Sequence, residues 1–473
     1  MVSEVQLSGI NFSQENGRLL TKRSPLNGKT LCEYVEPSEE SIAQGILELR
    51  QNAYVVEDLG LFTRSELLQR LANSIDASKE DFAKLVREET GKPLQLALGE
   101  VDTAVKFLRS IAGAAVFQSG IVIPSANKRK WVSSERRPYG LAVLIVSFNT
   151  PLPNYAWKFA PAWLAGNGIV MKPSEHTPLS ARLFFDKCLE VGMPRESLGL
   201  VLGGAAAGKA LVKQEFDLLS FTGSLSAGLS IQELSSKNVR KTILELGGSN
   251  PFIFFADGNI DRAVESVVQS AFSNSGQRCA SGSRLYLERA VYEEFISKLK
   301  SRLMKLTFGI ESQDEVGTVI DESALERYKA FLRLCEGEGK IWITEGELRH
   351  PDAYIARPAI VEIDGDSFLF QEELFLPILR IAPFDDERQV VRYANASKYG
   401  LTAAVWTKSL ERIDLFRRAL KTGVVNFNGP THGSEFQFPF GGTKSSGNGS
   451  KEVGLDSLDE YSFKQIVSID FSN

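Results

Sequence analysis

Apolar positions along this chain change their period several times, and each change marks a different kind of element. Leu67, Leu68, Leu71 and Ile75 recur at helical spacing behind Thr63-x-x-Glu66, and Phe82, Leu85 and Val86 do so behind Ser78-x-x-Asp81. A Ser or Thr three residues ahead of an acid is a helix-start signature, so a helix is expected after each. A longer helical pattern runs over residues 94–117, after an irregular lead-in with short strands over 1–35. Residues 141–146 are continuously apolar, as in a strand buried on both faces, and 169–171, 218–221 and 251–255 are similar. Helical patterns at 178–190, 208–214 and 227–234 separate them. The second half continues with helices at 260–273, 291–305, 325–336 and 410–420, and strands near 403–406 and 424–427. Strands alternating with helices predict an α/β fold around a parallel, doubly wound sheet. Residues 129–139 mix charges with Trp131 and Val132 and read as an exposed hairpin, while the alternating stretch 461–467 reads as a terminal strand, and both read as exposed edges that need a partner.

Composition narrows the class. A chain of 473 residues suffices for two or three domains. Hydrophobic residues at 43% and charged residues at 24% fit a soluble globular protein. A net charge of −5 argues against a nucleic-acid partner, and the basic run Lys128-Arg129-Lys130 with Arg136-Arg137 reads as a solvated loop or hairpin. No apolar run is long enough to span a bilayer, and the first 17 residues lack the pattern of a signal peptide. No membrane partner is expected, and the cytoplasm is the expected location. The four cysteines are scattered without C-x-x-C, and the three histidines lie far apart, so no metal site is expected and a reducing compartment fits.

Chemistry enters with Leu244-Glu245-Leu246-Gly247-Gly248 and Gly276-Gln277-Arg278-Cys279-Ala280. An acid/base beside a thiol is the minimum kit for covalent catalysis ending in hydrolysis. A cysteine taken alone is more often buried and inert. The flanking glycines weigh the other way, because they let backbone approach a ligand closely. Through these motifs the chain resembles the NAD(P)-dependent aldehyde dehydrogenase superfamily, whose Glu-Leu-Gly-Gly and Gly-Gln-x-Cys motifs stand at this separation. Further matches run from about residue 30 to the C-terminus. The resemblance implies a doubly wound cofactor-binding domain over 1–119 and 139–247 and an α/β catalytic domain over 248–456. It also implies a β-hairpin oligomerisation arm made of 120–138 and 457–473, in a homodimer or homotetramer.

The glycine fingerprint of ordinary dinucleotide-binding proteins is absent. Residues 203–208 hold a weaker cluster with Gly204 and Gly208. Phe221-Thr222-Gly223-Ser224 ends a buried strand ahead of a helical segment, where free N–H groups and the helix dipole favour an anion. The resemblance puts Ser224 at the pyrophosphate. Lys172-Pro173-Ser174-Glu175 is either a salt-bridged loop or, as the resemblance implies, the grip on the adenosine ribose. A carboxylate at Glu175 repels a 2′-phosphate, which makes NAD the expected cofactor with NADP possible. Glu373 and Phe375 resemble the Glu-x-Phe segment holding the nicotinamide ribose, although Leu376 replaces the usual Gly before Pro377. Leu246 and Gly247 are expected at the cofactor as well.

For the reaction, the resemblance implies Cys279 as nucleophile, Asn149 and the Cys279 backbone N–H as oxyanion donors, and Glu245 as the base that activates water. Lys158 is either a supporting proton relay or a surface lysine. Around Asn149 the family's Pro-Trp-Asn-Phe-Pro is replaced by Ser147-Phe148-Asn149-Thr150-Pro151. Phe148, Trp157, Phe436 and Phe438 are expected to line a largely apolar substrate funnel, with His432 and Ser434 as polar candidates at its entrance, favouring neutral medium-chain or aromatic aldehydes over carboxylated ones. Arg278 is either a carboxylate holder in that funnel or a structural residue. Pro439-Phe440-Gly441-Gly442 resembles the loop that closes the site. A CoA-acylating relative is disfavoured by Glu245. A non-catalytic binding protein is disfavoured by the intact Cys279, Glu245 and Asn149. A cofactor-free esterase would leave Ser224, Lys172, Glu175 and Glu373 without purpose.

Overall fold

The computed structural model describes residues 6–7, 9–117, 120–346, 350–433 and 435–472. Among these, one sheet has five strands, a second seven and a third three, beside a further three-stranded sheet near the N-terminus and a two-stranded pairing. The first sheet is parallel, in the spatial order Lys241–Glu245, Leu218–Thr222, Leu141–Ile145, Gly168–Lys172 and Leu198–Leu200. Its apolar runs are continuous because both faces are covered. Ala142 and Leu144 join a core with Leu68, Phe107, Phe159 and Phe184, whereas Leu141, Val143 and Ile145 join Ile42, Leu211 and Ile231 on the other side. Alternate residues of one strand thus enter different cores, and each buried Leu, Val or Ile contributes roughly 1.5–3 kcal/mol.

Strand order fixes where a ligand can enter. From Leu141–Ile145 the chain winds outward to Gly168–Lys172 and Leu198–Leu200, then returns to lay Leu218–Thr222 on the opposite side of its starting strand. The carboxyl ends of Leu141–Ile145 and Leu218–Thr222 therefore flank a topological switch point, where open α/β sheets leave a crevice.

The link Leu246–Asn250 carries the chain into the second sheet. Its order is Lys340–Ile343, Ala359–Glu362, Ile378–Phe384, Arg284–Glu288, Pro251–Phe254, Thr402–Trp406 and Val424–Phe427, parallel apart from the first edge strand. This sheet is also buried on both faces, with Phe252 and Phe254 in one core and Ile253 and Phe255 in another.

The third sheet corrects one expectation. The hairpin joins Ile121–Ile123 to Lys130–Pro138, and the second of these is a central strand. Ser462–Asp470 pairs along its whole length, from Ser462 opposite Pro138 to Asp470 opposite Lys130. The two segments read as separate free edges satisfy each other. What stays exposed is the outer side of Ser462–Asp470, with Ile466 58% and Ile469 42% accessible.

Helix starts also differ from the sequence reading. Leu61–Ala77 begins after Gly60, which takes φ +75, so Thr63 lies inside the helix. The start moves earlier because Leu59 and Leu61 pack against the first core. Ser78 does precede Lys79–Thr90, but its backbone leaves the previous helix at φ −105 and ψ 20, and its hydroxyl caps nothing. Pro151–Ala165 is a helix that the sequence pattern concealed behind three prolines. Two stand in its first turn, where a missing N–H costs nothing, and Pro161 lies inside it. Among the described residues no helix is long and apolar enough to cross a membrane.

Candidate active site

A cavity of about 570 Å³ opens at the switch point between Ile145 and Phe221. Every residue expected at the dinucleotide lines it: Lys172, Ser174 and Glu175 on one wall, Gly204 and Gly208 beside them, Phe221, Gly223 and Ser224 at the next strand end, and Leu246, Gly247, Glu373 and Phe375 at the far end. Asn149 and Cys279 line the same far end.

Local structure explains the polar walls. Ser224 caps the helix Leu225–Ser236, accepting the Ala227 N–H at 3.4 Å, and the remaining first-turn N–H groups make that end attractive to an anion. Gly204 caps Ala205–Val212 and donates its N–H to Glu36 at 2.6 Å. Burial lowers the pKa of Lys172, while Glu175 and Glu36 oppose the shift. Burial works against the Glu175 carboxylate, but Lys172 and backbone N–H donation outweigh it and hold its pKa below the ordinary range. Glu373 accepts the Gly248 N–H at 2.9 Å, and burial pushes its pKa up to about 7. Leu376 sends its side chain into the second core, and the preceding Phe375 takes φ +57 to turn its ring toward Phe148, 5.9 Å away.

The cysteine loop is held on several sides. Asn274 and Ser275 both adopt left-handed backbone, at φ 53 and 56, and a side chain at Gly276 would strike the Leu376 carbonyl. Asn250 donates to the carbonyls of Cys279 at 2.7 Å and Ser281 at 2.8 Å, and accepts the Thr402 N–H at 3.0 Å, tying the loop to the second sheet. Burial, then Glu373 and Glu245, push the Cys279 thiol up to about 12. The Asn149 loop is anchored through its main chain, whose carbonyl accepts Lys92 Nζ at 2.7 Å and Asn274 Nδ2 at 2.9 Å. Its side-chain oxygen accepts the Ser147 hydroxyl at 2.6 Å, leaving the amide N–H groups free of protein partners among the described residues.

Glu245 ends its strand behind the cysteine. Both its carboxyl oxygens are shielded from solvent and lack a hydrogen-bond partner among the described residues. Burial raises its pKa well above the carboxylate range and Glu452 adds to this, while Lys158 opposes it. Lys158 is no surface lysine: it is fully buried and pairs with Glu452, with Ser220 Oγ 2.8 Å away.

A neutral carboxyl poised behind a half-buried thiol at the end of a dinucleotide-sized crevice fits the expectations drawn from the two motifs. The model of the aldehyde dehydrogenase family matches residues 12–467. The chain belongs to the aldehyde dehydrogenase family. It is 34% identical to the mitochondrial aldehyde dehydrogenase family 2 member B4 of Arabidopsis thaliana over 479 residues, covering 99% of this chain and 88% of that one. It is 33% identical to betaine aldehyde dehydrogenase of Bacillus subtilis, covering 96% and 95%. Among solved structures, gamma-glutamyl-gamma-aminobutyraldehyde dehydrogenase of Burkholderia cenocepacia superposes with TM-score 0.94 at 30% identity, covering 99% and 98%. Betaine aldehyde dehydrogenase of Staphylococcus aureus in complex with NAD+ gives 0.93 at 29%, covering 100% and 96%.

In this aldehyde dehydrogenase the residues expected at the substrate separate. Phe148 lines the dinucleotide crevice, against His176 and Phe375. Trp157 packs on the first core from within Pro151–Ala165 and does not line the crevice. Phe438 is half exposed. His432 is bonded to the Gln269 carbonyl at 3.1 Å, and burial, then Arg278, bring its pKa down to about 4. Ser434 lies outside the described residues. Sequence reasoning missed Glu452, Lys92, Asn274 and Asn250. Each is a lone polar residue outside the quoted catalytic and cofactor motifs, and only the tertiary fold brings it to the site.

Proposed function

We propose that the protein oxidises an aldehyde to its carboxylic acid with NAD, through a thioester on Cys279 that Glu245-activated water hydrolyses. The observation that carries this reading is the convergence of Cys279, Asn149 and Glu373 at one end of the crevice whose other end holds Lys172, Glu175 and Ser224.

These residues suit a dinucleotide. A helix N-terminus at Ser224 suits the pyrophosphate, Lys172 and Glu175 the adenosine ribose, and Glu373 with Phe375 the second ribose. Glu175, held as a carboxylate, disfavours a 2′-phosphate, so NAD is preferred over NADP. When bound, the nicotinamide supplies the hydride acceptor.

The Cys279 sulfur adds as thiolate to the aldehyde carbon, its proton passing to solvent or a neighbouring base. The former carbonyl oxygen takes the negative charge, and the Asn149 amide and Cys279 backbone N–H are donors for it. Loss of hydride from the thiohemiacetal leaves a thioester on Cys279. Glu245, having passed its proton toward the Lys158–Glu452 pair, takes one from water, which attacks the thioester and frees the acid and the thiol. Glu245 is what favours water over CoA as acyl acceptor. We assign cofactor binding to 1–119 and 139–247, catalysis to 248–456, and subunit pairing in a homodimer or homotetramer to 120–138 and 457–473. A thiol nucleophile suits a reducing compartment, and we assign the enzyme to the cytoplasm.

Mixing enzyme, NAD and excess aldehyde in a stopped-flow instrument tests this. The expected result is formation of NADH and carboxylic acid in equal amounts. Aldehyde consumption without NADH, or an acyl product only when CoA is added, overturns it.

A further inference from the structure

Arg278 stands beside the nucleophile. It directly precedes Cys279 but does not line the dinucleotide crevice, and its charge acts on His432 in the loop ahead of Pro439. The dinucleotide fills one side of Cys279, so the remainder of an aldehyde bound there must extend to the other. Arg278, beside Cys279 and outside the crevice, is the charged residue available to that remainder.

Its own bonding is incomplete. Arg278 Nε is shielded from solvent and has no hydrogen-bond partner among the described residues, and no carboxylate there forms an ion pair with it. The acid with the largest effect on it is Glu100, whose Oε1 pairs with Lys92 while its Oε2 is buried without a hydrogen-bond partner, and Lys92 also donates to the Asn149 carbonyl. Lys92 and Arg278 therefore share one carboxylate. His432 is neutral at pH 7 and adds no charge. A guanidinium that shares one carboxylate with a lysine is incompletely neutralised, and its planar fork of donors matches a carboxylate with two parallel hydrogen bonds.

We propose that Arg278 binds an anionic group on the substrate, so that the preferred substrate is a short aldehyde ending in a carboxylate, an ω-oxo acid. This rests on the dehydrogenase reading above. It reverses the preference for neutral aldehydes read from the aromatic residues, since Phe148 belongs to the dinucleotide crevice and Phe438 is half exposed. A role for Arg278 in stabilising the thiolate alone would act on every aldehyde equally, and a purely structural role would show no dependence on substrate charge.

Steady-state kinetics with succinic semialdehyde and butyraldehyde at saturating NAD separate these. The wild-type kcat/KM is expected to favour the semialdehyde by at least about tenfold. Arg278→Met should bring the ratio close to one, chiefly through KM for the semialdehyde, and Arg278→Lys should keep part of it. Succinate should compete with butyraldehyde on the unmodified enzyme, beyond a chloride control of equal ionic strength, whatever the folding of the variants. A wild-type preference for butyraldehyde, equal losses for both substrates in Arg278→Met, or absence of succinate competition overturns the clamp while leaving the dehydrogenase intact. NADH from neither aldehyde overturns the dehydrogenase reading and the clamp together.

Discussion

Lys158 and Glu452 form an ion pair inside the molecule, 294 positions apart in sequence, and Ser220 Oγ lies 2.8 Å from the lysine and 3.1 Å from the carboxylate. Glu452 is also the charge that, after burial, raises the Glu245 pKa most. Glu245 consequently rests as the neutral acid and has to lose a proton before it can accept one from water. Glu452 and Lys158 are the charges that act on it most, neither is hydrogen-bonded to it, and we propose that the proton reaches the pair through water.

Glu245→Gln is therefore expected to give a single-turnover burst of NADH followed by a steady state at least about a hundredfold slower. Glu452→Gln removes a negative neighbour, so the Glu245 pKa falls. The pH at which hydrolysis switches on should move down, while the plateau rate drops for want of the relay. Rapid-mixing traces between pH 5.5 and 9 check both. Loss of the burst in Glu245→Gln would mean that Glu245 also activates the thiol.

Cys279→Ala should abolish turnover and retain NAD binding by fluorescence titration. Because burial pushes the thiol up to about 12, it is protonated at neutral pH in the free enzyme. Its alkylation by iodoacetamide without dinucleotide should accelerate up to about tenfold per pH unit between 7 and 10. A rate that levels off near pH 7 would show that the loop already stabilises the thiolate.

What the sequence disclosed follows from how local each signal is. Residues 141–146 and 218–221 are apolar throughout because both faces of their sheet are covered, so the strands flanking the crevice were readable. Leu198–Leu200 is three residues with a central glycine, too short for a pattern. Pro151–Ala165 was hidden by its prolines. The site divides likewise. Ser224, Glu373 and Cys279 sit in contiguous motifs. Glu452 and Lys92 act through single contacts with Lys158 and Asn149 that only folding creates. The register of Ser462–Asp470 against Lys130–Pro138 joins segments from opposite ends of the chain, which is why each looked like a free edge.

Glu175 stays ionised beside Lys172. Glu175→Ser should improve kcat/KM for NADP and weaken it for NAD, narrowing the gap by about tenfold or more, or roughly 1.4 kcal/mol. Equal or better use of NADP by the wild type would show that the carboxylate turns away from the ribose.

The outer side of Ser462–Asp470 leaves Ile466 and Ile469 exposed on an unpaired edge. Natural edges of this kind are covered or charged, and a second copy is expected to cover this one. Light scattering at micromolar protein should give a dimer or a dimer of dimers, and Ile466→Lys should shift the mass downward. A monomer in the wild type would remove the arm's assigned role.

The dinucleotide end of the crevice should itself be pH-sensitive through Glu373. Burial pushes this carboxyl up to about 7, Gly248 N–H donation works the other way, and Glu372 adds a smaller upward push. A ribose offers hydroxyl donors, for which the carboxylate is the stronger acceptor. The form that binds best is thus the deprotonated one, and it gains population as pH rises through about 7. NAD affinity should accordingly tighten between pH 6 and 8, by up to about tenfold in all. Glu175 does not confound this, because its pKa lies below the ordinary carboxylate range and its charge is constant over the window. His176, which also lines the crevice, titrates below its usual range because burial and then Lys22 disfavour its charged form. Its effect is separable, since Glu373→Gln keeps His176 and removes the carboxylate. That variant should bind NAD about tenfold more weakly at pH 8, the loss of one charge-assisted hydrogen bond, and its affinity should be nearly flat with pH. A wild-type profile already flat between pH 6 and 8, measured by titration calorimetry, would show that Glu373 does not meet the ribose as a carboxylate.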